Sequence, residues 1–183
     1  MKKWICFTLI LCFTVSINAQ NRRKKKRNSN KSNSELQAIK ISPLGFIFDS
    51  YNISYERASA SDQTFTLDLH YTNFKESGSE VSGIGFGGGY RFYIDLDDYL
   101  NGWFVGPKAT ISFLNYTLAN TTDLKTTLFE LAFIGGKQWK WDTLTLEVFT
   151  GPSITDFGEA GDSYPGGESV FGITGGISVG YAF

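Results

Sequence analysis

The residues of this chain that could do chemistry are few, and the first of them is its single histidine, His70. Asp68 lies two positions earlier, and a carboxylate beside an imidazole can act in general acid–base catalysis. In a strand, positions two apart share one face, and here that face also carries Thr66 and Thr72. We therefore interpret His70 as a packed, hydrogen-bonded histidine on the polar side of a strand, with catalysis as the alternative.

Two further motifs suggest ligands but lack the context that those ligands need. Residues 83–88 fit the dinucleotide fingerprint G-x-G-x-x-G, yet a helix must follow it, and residues 89–94 alternate as a strand. Asp95, Asp97 and Asp98 do not have the spacing of a twelve-residue calcium loop. We interpret the glycines as room for bulky neighbours and the aspartates as a solvated turn. The sequence predicts no catalytic residue, cofactor or metal.

A set of charged residues remains, spread over seven predicted strands and always on the polar face. Its members are Lys40, Glu56, Asp68, Arg91, Lys108, Glu130 and Glu147. An unpaired charge held away from water costs several kcal/mol, so opposite charges that face one narrow interior should pair. The sequence therefore predicts a network of ion pairs.

The first residues have the pattern of a secretory signal. Lys2 and Lys3 precede an apolar run at 4–15, and Ile17 to Ala19 form a plausible cleavage site, which predicts residues 1–19 as a signal peptide. The run is too short for a good transmembrane helix.

Both cysteines, Cys6 and Cys12, lie inside this segment. A lipoprotein signal at Cys12 is the alternative, but the residues before it are not the small ones that such a signal needs. The mature chain is therefore expected to have no thiol and no disulfide.

Residues 20–34 carry seven Lys and Arg and no apolar side chain, which predicts a disordered tail. In residues 35–183, eight Lys and Arg stand against eighteen Asp and Glu, which leaves a net charge of −10. We expect a solvated tail, with contact to anionic phospholipid headgroups as the second interpretation. An exported chain does not routinely meet nucleic acid, so we expect none as a partner.

From residue 35 onward the hydrophobic pattern has period two, without sustained helical periodicity. The predicted strands are residues 36–48, with a bulge at Pro43, then 51–56, 65–72, 84–94, 103–113, 129–133, 144–148 and 171–183. Eight is an even number, and a sheet that crosses lipid must close because lipid satisfies no edge hydrogen bonds. The sequence predicts an all-β fold, an eight-stranded antiparallel up-and-down transmembrane β-barrel over residues 35–183.

The predicted connections differ in length between the two ends of this barrel. The connections expected outside the cell are residues 49–50, 73–82, 115–125 and 153–169, of which all but the first are long and polar. The shorter ones, expected in the periplasm with both chain termini, are residues 58–63, 95–102 and 140–142. An aromatic girdle is expected near the periplasmic end, formed by Tyr93, Tyr99, Trp103, Trp139, Trp141, Tyr181 and Phe183.

Residues 36–183 as a whole resemble the small eight-stranded outer-membrane barrels of the OmpA and OmpX type. Four blocks are similar to a family of envelope barrels of unknown function: residues 42–45, 54–57, 90–93 and 102–107. The terminal strand, which ends in Tyr181-Ala-Phe183, resembles the signal that the barrel assembly machinery recognises. The resemblance implies an outer-membrane location and supplies no catalytic residues.

Together these observations predict a monomeric, non-enzymatic outer-membrane barrel with a closed polar lumen. It would act as an envelope component or as an interaction or adhesion protein through its surface loops. One alternative is a narrow pore for ions or small solutes. Another is a lipid-modifying enzyme of the lipid A deacylase or acyltransferase class, some of which use His with Ser. A soluble secreted barrel that binds a hydrophobic ligand is the third.

The terminal strand gives a first test. Replacing Phe183 with Asp should sharply lower the amount of folded protein in the outer membrane, because it removes the assembly signal and places a charge at the lipid interface. Quantifying folded protein in membrane fractions measures this. Normal amounts of the folded variant would contradict the interpretation of the terminal strand.

Overall fold

A computed structural model gives the structure of the protein and describes residues 36–76, 79–98, 100–118, 124–157 and 169–183. The predicted signal peptide, residues 1–19, and the predicted basic tail, residues 20–34, lie outside these ranges.

Eight strands form one closed sheet. The elements in chain order are β1 (Gln37–Ile41), α1 (Gly45–Phe48), β2 (Ser50–Ala60), β3 (Gln63–Glu76), β4 (Ser79–Asp98), β5 (Asn101–Leu118), β6 (Leu124–Trp141), β7 (Leu144–Asp156) and β8 (Val170–Ala182). Each strand pairs antiparallel with the next, and β1 pairs with β8 to close the barrel. The predicted all-β, eight-stranded, antiparallel up-and-down barrel is confirmed.

The period-two pattern has the expected consequence for the two faces of the sheet. On β3, Leu67 is 57% exposed on the outer wall, whereas Thr66 and Asp68 on either side of it are 3% and 8% exposed. The same alternation holds along the other strands, so large apolar side chains cover the outside, while polar side chains and a few buried apolar ones such as Phe104 and Ile134 fill the inside. This distribution is the reverse of that in a soluble globular domain.

The first strand is shorter than its sequence suggests. It was predicted to reach Phe48, but β1 ends at Ile41 and the short helix α1 follows. Pro43 begins a turn rather than a bulge: it has no N–H for a ladder, while its carbonyl accepts a hydrogen bond from the Phe46 N–H at 3.3 Å. Asp49, at a φ of 49°, ends the helix. Within the described residues, no helix has the length and hydropathy needed to cross a bilayer.

Strands extend into each of the predicted long connections. β3 and β4 run through the segment 73–82 and leave only residues 77–78 between them, and residues 119–123 and 157–169 are what remain of the next two. These polar segments extend the strands beyond the apolar band because pairing satisfies the hydrogen bonds of their backbone groups. Lys75 and Glu80, for example, are register partners on β3 and β4. We call this end, with the connection 42–49, the loop end.

The opposite end carries three two-residue connections, 61–62, 99–100 and 142–143, together with Gln37 and Phe183. Phe183 and Gln37 exchange backbone hydrogen bonds there, at 2.8 and 3.2 Å. We call it the turn end. The predicted difference in connection length between the two ends is therefore still present, although the connections are shorter than expected.

Two neighbouring glycines on β6 test how tightly the interior is packed. A Cβ at Gly136 would lie 2.8 Å from Cζ of Phe104 and 2.4 Å from the Val148 carbonyl oxygen, whereas one at Gly135 meets nothing closer than Val105 Cγ1 at 3.6 Å. Gly136→Ala should lower the free energy of unfolding by about 1–3 kcal/mol through overpacking. Gly135→Ala, the control, should change it by less than about 0.5 kcal/mol. Urea unfolding of the folded barrel measures both, and equal effects would contradict the packing argument.

Candidate functional site

Four charged side chains meet inside the barrel toward the turn end: Lys40 from β1, Glu56 from β2, Arg91 from β4 and Glu147 from β7. Each is at most 4% exposed. They place two positive and two negative charges in one cross-section of the barrel. The sequence predicted such pairing for the charged residues of the polar face. We call them the plug.

Within the plug, each cation contacts both carboxylates. Arg91 makes a two-pronged contact with Glu147, with Nη1–Oε2 at 2.7 Å and Nη2–Oε1 at 2.9 Å, and its Nη1 lies 3.3 Å from Glu56 Oε2. Lys40 donates hydrogen bonds to both Glu56 and Glu147. A bidentate guanidinium–carboxylate pair is among the strongest polar contacts in proteins. Because β4 and β7 are not neighbours in the sheet, the Arg91–Glu147 contact spans the lumen.

Neutral side chains complete the plug. Gln138 Oε1 accepts a hydrogen bond from Lys40 Nζ at 2.7 Å, and the Tyr93 hydroxyl donates to Glu56 Oε1 at 3.1 Å. The Phe104 ring lies under the Arg91 guanidinium, 4.5 Å from its carbon to the ring centroid. These contacts satisfy lone pairs and shield the charges from water, which buried ion pairs require.

Of these three residues, Tyr93 was misassigned from the sequence, and Gln138 and Phe104 were missed. Tyr93 was expected in the outer aromatic girdle, which is wrong: it is 6% exposed and faces the lumen. Its parity on β4 is that of Arg91, and parity decides the face wherever along the strand a residue lies. Gln138 was missed because the predicted sixth strand stopped at Phe133, five positions too early to carry the alternation to it.

Glycines of the terminal strand give the plug its space. A Cβ at Gly180 would lie 2.6 Å from Lys40 Cγ and 2.7 Å from Thr145 Oγ1. The Lys40 stem therefore occupies the volume that a larger residue at position 180 would fill. The bare face that the sequence shows on β8 is the counterpart of a bulky cation on β1.

The other three residues of the predicted network lie outside the plug. Lys108 pairs with Asp68, Nζ–Oδ2 at 3.0 Å, and both are largely buried. Glu130, on β6, is half-buried, and no Lys, Arg or His of the described residues comes within ion-pair distance of it. Of the seven predicted residues, six form two groups and Glu130 stands apart.

His70 faces the interior and contacts a serine. Its Nε2 lies 3.0 Å from the Ser112 hydroxyl oxygen, and the two residues flank Gly85 in one register row of β3, β4 and β5. The imidazole crosses β4 where only glycine leaves room, because a Cβ at Gly85 would lie 2.1 Å from the ring. No hydrogen bond from the described residues orients the other ring nitrogen, so the arrangement is that of a packed interior histidine rather than of a complete catalytic triad.

A polar cavity of about 490 Å³ extends from the plug to the loop end. Arg91 and Glu147 form its floor, and its walls include the Asp68–Lys108 pair, His70 and Glu130. We call it the vestibule. The side chains of Asp95, Asp97 and Asp98 lie outside the described set, and among described residues no cluster of three or more His, Cys, Asp or Glu could hold a metal.

No family model, curated protein or solved structure matches this chain. The resemblance to OmpA- and OmpX-type barrels therefore stays a prediction, and the fold and the interior are the basis for assigning a function.

Because Arg91 belongs to the plug and Arg57 does not, we expect their replacement to have very different effects on the free energy of unfolding. Arg91→Ala should lower the free energy of unfolding by about 3–5 kcal/mol, because it leaves a carboxylate buried without its main partner. Arg57→Ala, on the exposed face of β2, should change it by less than about 0.5 kcal/mol. Urea midpoints of the two folded variants measure this difference. An Arg91→Ala barrel as stable as the unaltered one would show that the plug does not stabilise the fold.

Proposed function

We propose that the protein is a monomeric, non-enzymatic outer-membrane β-barrel with a closed lumen. It serves as an envelope component or as an interaction protein that acts through the connections at its loop end. The observation that carries this proposal is the inverted distribution of side chains, with apolar residues outside a closed sheet and paired charges inside.

The outer wall supports lipid as its surroundings. Apolar surface left in water costs about 25 cal/mol per Å², and large continuous apolar patches on a protein mark membrane or protein contacts. Seven of the strands have 11 to 20 residues, enough for the roughly 9–11 that a tilted strand needs to cross a bilayer. A soluble barrel that binds a hydrophobic ligand is expected to have a largely apolar interior, and the buried charges of the plug favour the membrane barrel over it.

Aromatic residues at the turn end support an interface there. Trp103, Trp141 and Tyr181 are all more than half exposed on the outer wall. Lys137 Nζ lies 5.2 Å from the ring centroids of Trp103 and Trp139. Indole rings and snorkelling lysines favour the headgroup level of a bilayer. The predicted girdle member Tyr99 lies outside the described residues.

The plug supports a closed lumen over the pore alternative. An eight-stranded barrel has an interior that side chains can fill, and here the filling side chains hold one another by ion pairs. An ion could pass only by displacing buried charges from their partners. The enzyme alternative gains little support, because His70 and Ser112 face the interior and not the outer wall where acyl chains would lie.

The partners in this proposal follow from location. They are outer-membrane lipid, the barrel assembly machinery through the strand that ends at Tyr181 and Phe183, and anionic headgroups through the basic tail at 20–34. Closure of β1 on β8 leaves no free edge for pairing with a second copy, which supports a monomer.

Fractionation and conductance test the proposal together. The exported protein should be found in the outer-membrane fraction and should run faster on gels when unheated, because a closed barrel resists denaturation by detergent. In planar bilayers the purified barrel should give no steady conductance. Recovery in the soluble fraction would overturn the location, and a well-defined conductance would overturn the closed lumen in favour of the pore.

A further inference from the structure

Lys137 is a cation on the outer wall of the barrel. On β6 it alternates with the buried Gln138 and shares the face of Leu131 and Phe133, which are 52% and 56% exposed. No Asp or Glu of the described residues comes within ion-pair distance of its ammonium group. A positive charge on the lipid-facing wall of a barrel costs free energy that grows with its depth in the bilayer. An anion from the surroundings would lower that cost.

Two indole rings hold this ammonium group near the turn end. Trp103 is the register partner of Lys137 on β5, and Trp139 lies two positions further along β6. Lys137 Nζ lies 5.2 Å from the centroid of each ring, within the range in which an aromatic face attracts a cation. The polar hydrogens of all three side chains can only be donated. We call these three residues the anchor, and the group that complements it is an anionic acceptor.

An apolar groove of about 680 Å³ lies on the outer wall, toward the loop end from the anchor. Its lining includes Gly88 and Ala109, register partners without bulk, and the large side chains of Leu131 and Phe133. Phe133 is four positions before Lys137, which is roughly 13 Å along a strand. One leaflet contributes about half of the roughly 30 Å hydrocarbon core. An acyl chain whose headgroup lies at the anchor can therefore reach the groove.

We propose that the anchor binds the phosphate group of an anionic phospholipid in the leaflet at the turn end, and that an acyl chain of this lipid lies in the groove. The proposal rests on the membrane location proposed above. The phosphate pairs with Lys137 and accepts hydrogen bonds from indole N–H groups. A zwitterionic phospholipid has the same phosphate but adds an ammonium group that Lys137 repels, so the anchor favours lipids with a net negative charge.

The test uses the full chain folded into phosphatidylcholine vesicles, with a small fraction of brominated phosphatidylglycerol or, for comparison, of brominated phosphatidylcholine. Bromine quenches the fluorescence of a tryptophan that it contacts, and Trp103 and Trp139 are two of the four tryptophans in the chain. Half-maximal quenching should need an about fivefold lower mole fraction of brominated phosphatidylglycerol than of brominated phosphatidylcholine. Equal quenching by the two lipids would overturn the proposal.

Matched variants assign this preference to the anchor. Lys137→Gln should abolish it, and Lys137→Arg should keep it because the positive charge remains. Lys75→Gln makes the same chemical change in the exposed pair with Glu80 and should leave the preference unaltered. A preference that survives in the Lys137→Gln protein would overturn the assignment and indicate the basic tail as its source. Lys137→Met takes the place of Lys137→Gln if that variant does not fold.

A further variant tests the groove. Ala109→Phe adds bulk to the groove and leaves the charge of the anchor in place, so it should weaken the preference for phosphatidylglycerol. A preference equal to that of the unaltered chain would overturn the assignment of the acyl chain.

Flotation of the vesicles separates this proposal from the proposed function. A folded protein that does not float with the vesicles contradicts the membrane location. One that floats but shows no preference between the two lipids contradicts the lipid site alone.

Discussion

Four charges that share one buried cross-section form the interaction on which the rest of this structure depends. Burying a charge away from water costs free energy, and each of these charges offsets that cost through contacts with two opposite charges. Arg91, for example, contacts both Glu147 and Glu56. The mutual contacts require strands that are not neighbours, β1 with β7 and β4 with β7. The plug therefore requires a narrow barrel, because a wider ring with more strands would separate these partners.

The small residues of the interior follow from the same constraint. Long side chains from some strands can extend over a neighbouring strand only where that strand contributes almost no volume. Gly180 leaves space for Lys40, and Gly85 leaves space for His70 to reach Ser112. The glycine-rich strands β4 and β8 are thus shaped by residues elsewhere in the chain. In a closed sheet, large side chains on one strand and glycines on the strand beside it belong to the same packing arrangement.

The sequence was sufficient for the number and order of the strands and for the faces of most residues, because alternation is a local property, but it was not sufficient for the strand ends. Lys40, Glu56, Arg91 and Glu147 could be assigned to the interior from parity alone. Which of them would pair could not, because that depends on the stagger of strands far apart in sequence. Tyr93 was misassigned because its position near the predicted periplasmic end was given more weight than its alternation with the other residues of β4. Segments such as 73–76 looked like loops because their strand structure depends on hydrogen bonds to a partner, which leave no hydrophobic pattern.

The seam between β1 and β8 constrains the order in which the barrel can form. β1 has five residues, and it meets β8 only over Ala38–Ile41, with the backbone bonds between Gln37 and Phe183 at its end. The two sides of this seam are the first and the last of the eight described strands. A chain in which β8 has not yet formed has hairpins but no ring, and its plug lacks a wall. Closure is therefore possible only after β8 has been synthesised, and until then the unpaired strands need a partner that keeps them from aggregating.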